Sequence, residues 1–172
     1  MTCAINRVTF SPTFSALVQG VPLEKIARRA RRRIIALQSA CQGLPDGQRM
    51  DESPPLKHWL APGIYAREIH LSANTVVVGK IHRHRHLNII SKGCVTVFTE
   101  FGEETLTAPA SFESEPGTKR VVFTHQDAIW TTIHPNPTNE KDVSKLEVMF
   151  VADDYSQVGL LVDDMEKPCL IG

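Results

Sequence analysis

The stretch KIHRHRHLN, Lys80 to Asn88, sets histidines at alternate positions with arginines between them. Neutral imidazole is a good ligand for Zn, Ni, Fe and Cu, so the first chemistry to weigh is metal binding. On an extended strand residues two apart share a face, so His82, His84 and His86 point one way and Arg83 and Arg85 the other. A straight strand rises about 3.3 Å per residue, which puts His82 and His86 about 13 Å apart, too far to share an ion through bonds of about 2.1 Å. The outer pair can meet on one ion only if the chain bends between them. The competing reading is a polar lining held by hydrogen bonds without metal.

Other chemistries are poorly represented. There is no Gly-x-Ser-x-Gly elbow, no Gly-rich phosphate loop and no carboxylate pair spaced for glycoside hydrolysis. Asp127 and Glu115 act as acid or base only if the fold carries them to the histidines. Cys3, Cys41, Cys94 and Cys169 lie far apart without Cys-x-x-Cys spacing, which argues for reduced thiols and against a thiolate zinc site. His58, His70 and His125 have no partner in sequence.

The elements that must position these residues follow from pattern. From about Trp59 the chain consists of short β-runs separated by turn signals: 65–71, 75–82, 87–90, 95–100, 104–108, 111–114, 119–124 and 128–134. Such spacing predicts an antiparallel sandwich or barrel over residues 58–138. Upstream, PLEKIARRARRRIIALQSACQG reads as an amphipathic helix over 22–43, with Leu23, Ile26, Ala30, Ile34, Leu37, Cys41 and Leu44 in one stripe and arginines opposite. The Pro-, Gly- and acid-containing segment 44–57 reads as a linker, completing an arm over 1–57. After the His134–Pro137 break, LEVMFV is either a strand or part of a helix begun near Asp142, and VGLLV is a further strand candidate.

At 172 residues, 42% hydrophobic and 22% charged, the chain fits one soluble domain with an arm. It has no apolar run of bilayer length and no secretory leader pattern, so a cytoplasmic protein is expected. Its zero net charge is unevenly spread: 22–43 carries +5 and 139–167 carries −5. Five arginines and a lysine crowd the N-terminal half of the helix, where the dipole favours anions, so a negative group is expected nearby. The arginine face also admits nucleic-acid binding, but the acidic segment 139–172 favours packing against protein, either this barrel or a neighbouring subunit. The apolar stripe and the linker together predict a homo-oligomer or larger assembly built through helix 22–43.

The barrel region resembles the cupin family. In GKIHRHRHLNIISKGCVTV, Gly93 fits the glycine that ends the first cupin motif; its glutamate slot then falls on His86 and its histidine slots on Lys80 and His82. In FESEPGTKRVVFTHQD, Gly117 fits the Pro-x-Gly glycine, Glu115 takes the proline slot, Arg120 the slot of a metal histidine and Thr124 the asparagine slot. The resemblance implies a β-barrel in which a bend lets His82 and His86 face one divalent ion (Zn, Ni, Fe or Mn), with His134 as a replacement ligand and His84 turned outward. A guanidinium cannot ligate a cation, so Arg120 reads either as a clamp for a carboxylate or phosphate, helped by Lys80 and grouped with Trp130, or as a structural partner of Glu113 or Glu115. The segments HLNIISKG, LTAPASFESEPGTKR and AIWTTIHPN are also similar to small cupin-like proteins encoded by tailed bacteriophages, which implies the host cytoplasm or a virion as location. The resulting expectation is an all-β cupin-like barrel with an N-terminal helix. It acts as a non-catalytic assembly component or a binder of a small anion, or alternatively as a metal-dependent isomerase or dioxygenase using His82, His86 and His134.

Overall fold

The computed structural model describes residues 23–44 and 54–160. Helix α1 (Leu23–Gln42) precedes strands β1 (Leu56–Ala61), β2 (Gly63–Leu71), β3 (Val76–Val78), β4 (Ile81–His82), β5 (His86–Lys92), β6 (Cys94–Thr99), β7 (Gly102–Thr107), β8 (Ala110–Ser114), β9 (Val121–Thr124) and β10 (Ala128–Asn136). Helix α2 (Val143–Phe150), strand β11 (Val151–Ala152) and a 3-10 turn (Tyr155–Val158) follow. The strands form an antiparallel five-stranded sheet, β1-β2-β10-β5-β8, and a four-stranded sheet, β3-β9-β6-β7, with β4 and β11 paired separately. The all-β barrel with a preceding helix is therefore present. Among the described residues no helix is long and apolar enough to cross a membrane.

Period-two burial builds the interior. Along β5, His86, Asn88 and Ile90 are buried while Leu87 is exposed. Along β10, Ala128, Trp130, His134 and Asn136 are buried. Leu71, Ile90, Val95, Val97, Val122, Ala128 and Trp130 pack into the main core. Between β5 and β6 the chain turns at Gly93, where φ is +90° and an added Cβ would collide with the Asp127 carbonyl, so only glycine fits.

Several boundaries differ from the sequence reading. Residues 56–61, partly assigned to the linker, form edge strand β1, whose outer residues are exposed and carry no apolar alternation. The run 75–82 is two strands, because β3 leaves its β9 partner after Val78↔Val121 and the Gly79 amide turns to the Arg120 carbonyl, 2.8 Å away. LEVMFV is mostly helix: Asp142 caps α2 by accepting from the Ser144 amide at 3.0 Å. Of VGLLV, Val158 closes the 3-10 turn; residues 161–162 lie outside the described residues, as do Pro22 and most of the linker.

Helix α1 also docks differently from its expected stripe. Ala27, Arg31 and Ile34 are buried, whereas Leu37 and Leu44 are each 39% exposed. Arg31 turns inward because Glu100, after β6, accepts from its Nη2 at 2.9 Å and from Nε at 3.2 Å. The negative group near the basic half is thus Glu100, with Glu24 of the helix itself 3.3 Å from Arg31. Among the described residues of the acidic C-terminal segment, Glu147 lies 3.7 Å from Arg67 and 4.0 Å from Lys80, Asp153 lies 3.8 Å from Lys80, and the Tyr155 ring lies 5.7 Å from the Arg31 guanidinium.

Candidate metal centre

His82, His86 and His134 arrive from separate strands. His82 ends β4, the chain bends through Arg83 and His84, and His86 opens β5, the bend that the cupin resemblance implied. His134 comes from β10, next to β5 in the sheet. Ring centroids are 4.1 Å apart for His82 and His86, 4.9 Å for His86 and His134, and 5.2 Å for His82 and His134. One ring nitrogen from each lies within 4.8 Å of the others, and all three residues are buried. His84 is exposed, edge-on to Phe150.

The corner is held from outside the barrel. Val151 of β11 pairs with His82, and the Arg83 amide donates to the Phe150 carbonyl at 2.9 Å. The Arg83 side chain donates from Nε to the Val151 carbonyl at 2.9 Å and from Nη1 to the Gln157 carbonyl at 3.0 Å. Phe150 stacks on His134 at 4.6 Å and on Tyr65 at 5.7 Å, so the C-terminal segment covers the histidines on one side.

Protonation states follow from these contacts. His86 Nδ1 lies 3.0 Å from the His84 carbonyl, which can only accept, so Nδ1 carries the proton and Nε2 a lone pair. His82 Nδ1, His86 Nε2 and His134 Nδ1 are buried without a hydrogen-bond partner. Burial pushes all three imidazoles down: His86 to about 4, His134 to about 3, and His82 well below its ordinary value. Mutual repulsion adds to this for His82 and His134. Neutral rings that bring one nitrogen each within 4.8 Å of the others suit a divalent transition ion, whose tetrahedral bonds of about 2.1 Å would set its nitrogens roughly 3.4 Å apart.

Arg120 is buried inside the barrel, donating to Ser114 Oγ, with its guanidinium 5.9 Å from the Phe112 ring. It does not pair with Glu113 or Glu115, which lie 3.7 Å and 2.6 Å from Arg85. Trp130 is buried and donates from Nε1 to Asn88 Oδ1 at 3.0 Å, while Asn88 donates to Ser114 Oγ at 2.6 Å, a chain that ends on Arg120. A cavity of about 100 Å³ is bordered by His82, Arg120, Trp130 and Lys80, the last with its ammonium group at the rim beside Glu147 and Asp153.

The sequence reading did not include Tyr65, Arg67 and Phe150. Tyr65 and Arg67 alternate inward on β2 in the run GIYAREIHL, a signal readable once that strand is assigned. Phe150 carried no local signal, because its place depends on how α2 folds back.

No family model matches the sequence, and no curated protein matches it. Solved structures are similar in part. A cupin-2 domain protein of Shewanella frigidimarina is 10% identical with a TM-score of 0.41, over 51% of this chain and 85% of that one. A Klebsiella pneumoniae protein with a double-stranded β-helix domain is 10% identical with a TM-score of 0.45, over 53% and 84%. Salicylate 1,2-dioxygenase of Pseudoaminobacter salicylatoxidans is 10% identical with a TM-score of 0.47, over 73% of this chain and 34% of that one. At these identities the fold rests on the sheet order and register described above.

Proposed function

We propose that this chain is a metal-binding barrel that holds one divalent transition ion on His82, His86 and His134 and takes a small anionic ligand beside it. The observation that carries this reading is the convergence of three buried, neutral imidazoles, each of which has a buried ring nitrogen without a hydrogen-bond partner. Three imidazoles with no carboxylate suit Zn, Ni or Fe better than Mn. An ion held by three protein ligands keeps a position open, where it would polarise an oxygen ligand. The chain's own residues do the rest. The His84 carbonyl fixes the His86 tautomer, Phe150 and Tyr65 shield the rings from water, and Arg120 holds positive charge inside the barrel. Elemental analysis of purified protein tests the reading. Near-stoichiometric ion is expected in the wild type and loss of it in His82→Ala and His86→Ala; a folded wild type that takes up no Zn, Ni or Fe on reconstitution refutes it.

A second reading concerns assembly. The C-terminal half of α1 leaves Ile35 and Leu37, and the turn after it Leu44, each more than a third exposed, which favours self-association through this helix. An assembly role, in a phage particle or elsewhere, would use this surface. Sedimentation of the full chain should show an oligomer that Leu37→Glu dissociates; a monomeric wild type at micromolar concentration counts against it.

A further inference from the structure

Two arginines inside the barrel are incompletely matched. Arg120 is 8% exposed, and its hydrogen-bond acceptor is the neutral Ser114 hydroxyl. Glu100 is near enough for its charge to favour that of Arg120, but its hydrogen bonds go to Arg31, and Glu113 and Glu115 lie with Arg85. Burial lowers the Arg120 pKa only to about 10, so the guanidinium stays charged at neutral pH. Two guanidiniums, Arg31 and Arg120, thus draw on one buried carboxylate, and a further anion from outside the chain would balance the excess positive charge.

Arg67 supplies a second donor to the same space. Its Nε is buried without a partner, while its Nη2 lies 3.7 Å from Glu147 at the surface. Arg67 and Arg120 both border the cavity of about 100 Å³ that His82 adjoins. The rest of its wall is largely apolar, formed by Ile69, Leu71, Val77, Val122 and Trp130. Inorganic phosphate would satisfy the arginines and leave that wall uncovered. A carboxylic acid with a short hydrocarbon body matches both parts.

We propose that this cavity binds a small amphipathic carboxylic acid, its carboxylate taken by Arg67 and Arg120 and its hydrocarbon part laid against Trp130 and Val122. The proposal rests on the reading of the barrel as a small-anion site but does not require the ion. It adds Arg67 to the binding residues and moves Lys80 to the rim.

The test is calorimetric titration of the full chain with hexanoate, hexanol and inorganic phosphate, with ion content measured on the same samples. Hexanoate should bind, hexanol should bind about tenfold or more weakly, and Arg67→Gln should weaken hexanoate by a similar factor, the scale of losing a charge-assisted hydrogen bond. Arg120→Gln should do the same; because Arg120 is buried and that variant can fail to fold, Arg67→Gln, at a side chain 22% exposed, is the deciding variant. Equal binding of hexanol, tighter binding of phosphate, or unchanged hexanoate affinity in Arg67→Gln overturns the proposal. So does the absence of hexanoate binding, whatever the ion content. Ion-loaded protein that ignores hexanoate leaves the metal reading standing, and protein that binds hexanoate yet takes up no Zn, Ni or Fe on reconstitution removes the metal reading alone.

Discussion

The two ends of the barrel interior share strands but not chemistry. At one end Leu71, Ile90, Val95, Val97, Val122, Ala128 and Trp130 pack together, and the Trp130 indole has its acceptor in Asn88. At the other, a few residues along the same β5 and β10, three imidazoles and two arginines present buried nitrogens or charge with few protein partners. The alternation that sends Ile90 and Trp130 inward also sends His86 and His134 inward, so the fold does not distinguish the ends; residue type does. One end supplies apolar burial, and the other keeps buried nitrogens without a hydrogen-bond partner.

The sharpest way to break this contrast is to truncate one residue at each end. Ile90→Ala removes a fully buried side chain and should cost about 2–5 kcal/mol in urea unfolding of chelator-treated protein, while leaving the ion capacity of the folded fraction intact. His86→Ala should reverse the pattern. It abolishes ion binding, yet costs only about 1 kcal/mol without metal, the net value of the lost bond to the His84 carbonyl. Equal stability losses at the two positions would mean that the histidine end is ordinary core.

The same contrast decides what was legible in the sequence. Short β-runs between turn signals made the barrel legible, because they depend on local backbone rules, and the resemblance to cupin motifs placed Gly93 and Gly117. The meeting of His82 with His86 was legible only through the resemblance to cupin motifs, which implied a bend; strand geometry alone set the two about 13 Å apart. His134 was suggested only as an inward residue from another wall, since its partners are far away in sequence. The C-terminal clamp was not readable: β11 is two residues long, and Arg83 binds Phe150, Val151 and Gln157 across a separation that no local pattern encodes. Arg31 was misplaced on the solvent face for a related reason, because its carboxylate partner Glu100 lies 69 residues away.

A smaller effect sharpens the comparison without altering a core residue. In the folded chain His86 titrates at about 4 and His134 at about 3, against about 6.5 for an exposed imidazole. Above about pH 6.5 both states hold these rings neutral and the folded state is favoured in full. As pH falls, the unfolded chain takes up protons that the folded site refuses, so stability drops as the pH approaches the folded values. The slope reaches about 1.4 kcal/mol per pH unit for each histidine. Urea unfolding of chelator-treated protein across this range should show the decline, and His134→Gln, which cannot titrate, should make it shallower. Glu100 works in the opposite sense, since burial raises its pKa and the folded state takes up its proton first. The difference between wild type and His134→Gln removes that background. Identical slopes would show that His134 is not held neutral by burial, and the histidine end would lose the electrostatic feature that separates it from the rest of the barrel.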